Sequence, residues 1–184
     1  MKQVPSGTHM CLIYSNRDSA KADVFDFLRQ AIADDGQAHY FANGSGPDEV
    51  IAGVVRGDIA RDRALSRMQI SNITDVYLAG GRFEKDRMLA LLAETYRDSK
   101  TAFPGPCHFT GEMDWATNQD DACLEDLVAY EREVNHVCAE HPFSAICQYD
   151  ATRFEPEFLY QIVQAHPFLL IDGMIIPNPD ARGF

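Results

Sequence analysis

The side chains best suited to chemistry in this sequence are a few buried-looking imidazoles, thiols and carboxylates. His9 and Cys11 stand two apart in His9-Met10-Cys11-Leu12-Ile13-Tyr14, an almost unbroken apolar run that reads as a strand buried on both faces. That spacing puts both on one side of the strand, where they could ligate a metal or a haem. Two donors do not make a site. His108, His136, Cys107 and Cys147 could join only by tertiary coincidence, and buried cysteine is mostly a small hydrophobe. No metal site is therefore expected, and a haem or metal at His9 and Cys11 stays open.

Glu131 and Asn135 fall on the apolar stripe of a helix that carries Leu124, Leu127, Val128, Val134 and Cys138. A carboxylate on that side is costly unless paired. It is either a structural bridge or part of a pocket. Glu112, Met113, Asp114 and Trp115 follow a strand. They either cap it, with Trp115 in the core, or line a small-molecule pocket. Thiol catalysis is disfavoured, since Cys107 and His108 point to opposite faces of a strand and His136 and Cys138 diverge on a helix.

Those residues must be held by alternating strands and helices. Strands are expected at 9–14, 38–42, 107–112 and 144–149, with one or two more around Met68-Gln69-Ile70 and Val76-Tyr77-Leu78. Helices are expected at 18–35, stopped by Gly36, from Pro47 to about Arg56-Gly57, and at 84–99, 121–140 and 155–165. Asp172-Gly173 between two apolar runs signals a hairpin. The pattern is one α/β domain over residues 1–184: a mostly parallel sheet, helices on both faces and an antiparallel edge. In such sheets ligands bind beyond the strand C-termini. The first such loop, Ser15 to Asp23, lacks the Gly-x-x-x-x-Gly-Lys-Ser/Thr pattern of a phosphate cradle, and Asp18 and Asp23 would repel phosphate. A plain helix start, capped by Asn16, Asp18 or Ser19, is the simpler reading.

Composition narrows the partners. Sixteen basic against 28 acidic residues give a net charge of −12, which opposes direct binding of nucleic acid or anionic lipid. No apolar run reaches the roughly 18 residues of a membrane span. The five cysteines show no C-x-x-C spacing, so a reducing cytoplasm is the expected setting.

Ordered blocks across the chain carry a family resemblance: Gly7-Thr8-His9-Met10-Cys11-Leu12-Ile13-Tyr14, Asp35-Gly36, Gly81-Arg82-Phe83, Gly111-Glu112-Met113-Asp114-Trp115-Ala116, Tyr130-Glu131 with Asn135, Ala145 to Asp150, and His166-Pro167 followed by Asn178-Pro179. Together they resemble the MEDS sensory domain of methanogen and methylotroph regulators. The resemblance implies a RecA-like or KaiC-like core that has lost its phosphate-binding loop. It implies a sensor of small organic or hydrocarbon-derived molecules in bacterial or archaeal signalling and transcription regulation. Such domains are usually joined to an output module, so a partner protein, or an output domain outside this chain, is expected.

The resulting expectation is a non-catalytic ligand-binding domain. Glu112, Met113 and Trp115 form one wall of its pocket, Tyr14, Glu131 and Asn135 complete it, and His9 and Cys11 lie beneath. No cofactor is identified, and a homodimer is possible on this reading. The rival readings are a nucleotide hydrolase or transferase using Glu112, and a pure protein-interaction module.

Overall fold

The computed structural model describes residues 3–56 and 59–182; Gly57, at the expected end of the second helix, lies outside them. β1 (His9–Tyr14) runs directly into α1 (Arg17–Ala33), because the Asn16 side chain accepts hydrogen bonds from the amides of Asp18 and Ser19. The loop is thus a helix cap whose side-chain oxygen occupies the amides that a phosphate would need. The stop expected at Gly36 begins one residue earlier. Asp35 takes the left-handed conformation at φ 61°, and the Gly36 amide then donates to the Ala31 carbonyl at 2.7 Å.

β2 (Gln37–Ala42) and α2 (Pro47–Val54) follow, then α3 (Arg61–Arg67) and β3 (Met68–Asn72). The second strand expected around Val76-Tyr77-Leu78 is not one. Asn72 caps a short helix α4 (Ile73–Val76), accepting from the Thr74 amide, and Ile73, Val76 and Tyr77 share a buried side. That i, i+3, i+4 set is helical, and three adjacent apolar residues had concealed it. The chain continues with α5 (Lys85–Ala102), β4 (Cys107–Glu112), a 3-10 helix (Met113–Asn118), α6 (Asp121–Glu140), β5 (Ser144–Asp150) and α7 (Pro156–Ala165). β6 (Phe168–Ile171) and β7 (Met174–Pro177) close it as a hairpin, with Asp172 at φ 47° and Gly173 at φ 70° as an Asp-Gly turn requires.

Among the described residues seven strands lie in the order β3-β2-β4-β5-β1-β6-β7, and their pairings are parallel except that of β6 with β7. Helices cover both faces. Met10 and Leu12 of β1 pack with α1, α2 and α3, whereas Cys11 joins the core under α4, α5, α6 and α7. On β5 the same alternation sends Ile146 to the first layer and Ala145, Cys147 and Tyr149 to the second. β1 and β5 are neighbours in register, with Cys11 beside Cys147 and His9 beside Ala145. The chemically useful side chains of two distant segments therefore face the same helix, α6. Among the described residues no helix is long and apolar enough to cross a membrane.

Candidate functional site

The α6 stripe buries Leu127, Val128, Tyr130, Glu131, Val134 and Cys138 against the sheet. Glu131 is the charged member, and it is fully buried. Its Oε1 accepts from the Tyr149 hydroxyl at 2.5 Å. Its Oε2 lies 3.3 Å from Cys147 Sγ, 3.2 Å from His9 Nε2 and 3.4 Å from His166 Nε2. His9 Nε2 is also 3.4 Å from Cys147 Sγ, and the two imidazoles sit 4.2 Å apart, centroid to centroid. His9, Glu131, Cys147 and His166 are all buried, with one donor-type atom from each within 4.8 Å of the others.

The far side of each ring is fixed. Asn135 uses its amide N–H groups on the carbonyls of Ala165 and Arg132, at 2.9 and 3.0 Å, which leaves its Oδ1 to accept from His9 Nδ1 at 2.8 Å. His166 Nδ1 donates to the Ile162 carbonyl at 2.8 Å. Asn178 supports this end of α7 by donating to the Val163 and His166 carbonyls. Burial opposes a charged Glu131, but His166 and His9 outweigh it and hold the carboxyl well below its usual range. Burial, then His166, lowers His9, while burial and Glu131 push Cys147 far up.

Beside this polar group lies an aromatic one. Tyr130, next to Glu131, meets Tyr77 edge-on at 6.0 Å and Phe83 at 5.6 Å. Trp115 packs on Tyr77 at 5.5 Å and on Phe83 at 5.2 Å. Its indole Nε1 is buried and has no hydrogen-bond partner among the described residues. A void of about 10 Å³, near the size of one water, separates Tyr77, Phe41 and Tyr130 from Gly111 and Cys147. Tyr77 and Phe83 are buried, yet the chain between them is exposed at Gly80 and Gly81, both at positive φ.

Glu112 belongs to a different arrangement. Its Oε2 accepts from the amides of Asn43 and Gly44, both at 2.7 Å, and of Ser45 at 3.3 Å. Its Oε1 accepts from the Tyr40 hydroxyl at 2.8 Å, from the Ser45 hydroxyl, and from Arg17 at 3.4 Å. Burial disfavours the anion, but Ser45, the Gly44 amide, Tyr40 and the Asn43 amide more than offset it, so the carboxyl titrates below its ordinary value. The protein's own carboxylate fills this nest of amides.

Of the eight residues singled out from sequence, His9, Glu131 and Asn135 meet directly. Cys11 is buried on the same sheet face, two residues along β1 from His9. Met113 and Trp115 lie in the aromatic layer of that same core. Tyr14 is set apart. It borders an open cleft of about 240 Å³ with Ser15, Asn16 and the hairpin residues Leu170 to Asp172. Cys147, expected to join His9 only by tertiary coincidence, does so, whereas His108, His136 and Cys107 are not in the group; Tyr149 and His166 are members that the sequence reading does not single out. Cys147 and Tyr149 share strand parity, but only the β1–β5 pairing reveals what they face, and His166 follows its helix with no periodic signal.

The sequence matches the model of the family described as MEDS, the methanogen/methylotroph, DcmR sensory domain, over residues 8–167. No curated protein matches it. Among solved structures it is similar to the flagellar accessory protein FlaH of Methanocaldococcus jannaschii. There the TM-score is 0.60 at 13% identity, covering 90% of this chain and 71% of that one. It is also similar to the uncharacterized protein PH0321 of Pyrococcus horikoshii, crystallised with an unknown peptide. That match has a TM-score of 0.63 at 13% identity and covers 94% of this chain and 82% of that one. At such identity these likenesses speak for the RecA-like fold alone. The buried polar core under α6 and the loop without a phosphate cradle thus sit in a chain that belongs to the MEDS family of sensory domains.

Proposed function

We propose that this chain is a non-catalytic sensor that binds a small, largely apolar organic molecule and passes the signal to a partner protein or output domain in bacterial or archaeal transcription control. The observation that carries this reading is the aromatic layer of Tyr77, Phe83, Trp115 and Tyr130 under an exposed connection with two positive-φ glycines. Swinging Tyr77 or Phe83 outward opens an apolar chamber whose wall is Trp115 and Met113 and whose floor is the polar group of His9, Cys11, Glu131 and Asn135. Glycines at positive φ permit such a movement with little backbone penalty. A ligand with few hydrogen bonds gains about 25 cal/mol per Å² of apolar surface it loses to water, and it shifts the population toward the opened packing. Glu112 is satisfied by its own chain and Tyr14 borders another cleft, so neither belongs to this chamber.

Tryptophan fluorescence tests the proposal, since Trp115 is the single indole of the chain. Titration with short hydrocarbons and their halogenated and hydroxylated derivatives is expected to give a saturable change for at least one of them. Tyr130→Ala is expected to weaken that binding. If no compound perturbs the indole while magnesium-ATP binds at micromolar concentration, the nucleotide-enzyme reading replaces this one.

A further inference from the structure

The geometry points to a closed, four-coordinate site for a zinc-type divalent metal ion, with His9 Nε2, His166 Nε2, Cys147 Sγ and a Glu131 oxygen as ligands. This inference stands apart from the identity of any organic ligand.

The first argument is distance. Zinc bonds of about 2.0 Å to nitrogen and oxygen and about 2.3 Å to sulfur set the edges of a tetrahedron with one sulfur at about 3.3–3.5 Å. Four donor pairs here lie at 3.2, 3.3, 3.4 and 3.4 Å. The remaining pairs stay within 4.8 Å. The donors come from β1, α6, β5 and the end of α7, so their convergence is a product of the whole fold.

The second argument is the placement of protons. Ile162 presents a carbonyl to His166 Nδ1, and Asn135 presents its carbonyl oxygen to His9 Nδ1, so both rings carry their proton on Nδ1. Each neutral ring then turns an Nε2 lone pair toward the Glu131 carboxylate, another acceptor. Among the described residues His166 Nε2 has no hydrogen-bond partner. With both rings neutral, two lone pairs face the carboxylate; a proton on one ring pairs that ring with Glu131 but still leaves the other Nε2 lone pair against it in a dry interior, whereas a cation among the donors satisfies both. Protonating both rings would place two positive charges 4.2 Å apart, centroid to centroid, without water. A divalent ion resolves the conflict. Cys147 gives up its thiol proton to solvent on binding, and thiolate plus carboxylate balance the two positive charges with both imidazoles neutral. The outer contacts are those that orient metal ligands: Asn135 and a carbonyl on the two rings, and the Tyr149 hydroxyl on the free carboxylate oxygen. The mixed nitrogen, sulfur and oxygen set suits zinc, and a set with no exposed position suits a structural ion.

Because the donors are buried, the ion would enter during folding. The test is to refold the chain with Co²⁺ or Zn²⁺, remove free metal, and measure bound metal and its spectrum. One ion per chain is expected, with tetrahedral Co²⁺ bands and a thiolate charge-transfer band that Cys147→Ser abolishes. X-ray absorption of the wild-type zinc form should show one sulfur at about 2.3 Å and lighter donors at about 2.0–2.2 Å. That measurement decides the matter even if the Cys147 variant does not fold. Asn135→Ala keeps all four donors and is expected to weaken metal affinity about 10–100-fold. Folded protein that retains no metal, or bound metal without a sulfur ligand, overturns the inference. Neither result alters the Trp115 titration, so failure here and failure of the sensor reading are distinguishable.

Discussion

Glu112 and Glu131 are both carboxylates taken out of water, and they are satisfied in different ways. Glu112 is surrounded by donors: three backbone amides, two hydroxyls and a guanidinium. Replacing it by Gln turns one acceptor into an N–H₂ aimed at donors. The loss is expected to be about 1.5–3 kcal/mol at pH 7, read from urea unfolding. The Glu112 carboxyl titrates lower in the folded chain than in the unfolded one. Its contribution is therefore complete above the unfolded value of about 4.3 and disappears as pH falls through the folded value. The gap between wild type and Glu112→Gln should close under acid conditions; a gap independent of pH would contradict this account. Glu131 was legible from its place on an apolar stripe, and Asn135 with it, because helical period alone puts them inward. Cys147 and His166 were not legible, since their position depends on strand β5 lying beside β1 and on where α7 ends.

At the scale of elements, the hydrophobic pattern located the strands and long helices because each buries a stripe or a face. α3 escaped that test: Ala64 is its buried residue, and seven residues with one inward side chain carry no period. The entrances to β2 and β4 show a second kind of information, held in backbone contact. Gln37 donates to the Pro106 carbonyl at 2.9 Å and Gly105 donates to the Asp35 carbonyl at 3.3 Å, so the two turns lie against each other. A Cβ on Gly36 would stand 1.8 Å from the Pro106 oxygen, and one on Gly105 would stand 2.0 Å from the Asp34 oxygen. Neither neighbour is a flexible side chain. Gly36→Ala is therefore expected to force the β2 and β4 entrances apart and to cost about 1–3 kcal/mol in chemical unfolding, the range for overpacking. A variant as stable as wild type would mean that these turns move freely.

The whole molecule carries a neutral histidine in each of its two helical layers. His39 stacks on Phe109 at 4.7 Å in the layer under α5 and α6. His108 stacks on Phe27 at 4.1 Å in the layer under α1 and binds the Phe27 carbonyl. Burial lowers both to about 4, from an ordinary value of 6.5. The unfolded chain then binds protons between pH 6.5 and 4 that the folded chain refuses, so stability is complete above 6.5 and falls as pH drops toward 4. Each shift corresponds to a loss on the order of 3 kcal/mol across that window. The acid sensitivity therefore comes from both sides of the sheet and should appear as one cooperative weakening rather than as the release of a single helix. Urea unfolding of wild type at closely spaced pH values checks this. His39→Phe keeps the stacked ring and removes a titrating group whose Nε2 lacks a partner among the described residues, so it should flatten the slope between pH 6.5 and 4. An unchanged slope in that variant would show that His39 is protonated in the folded chain and that its layer is open to water.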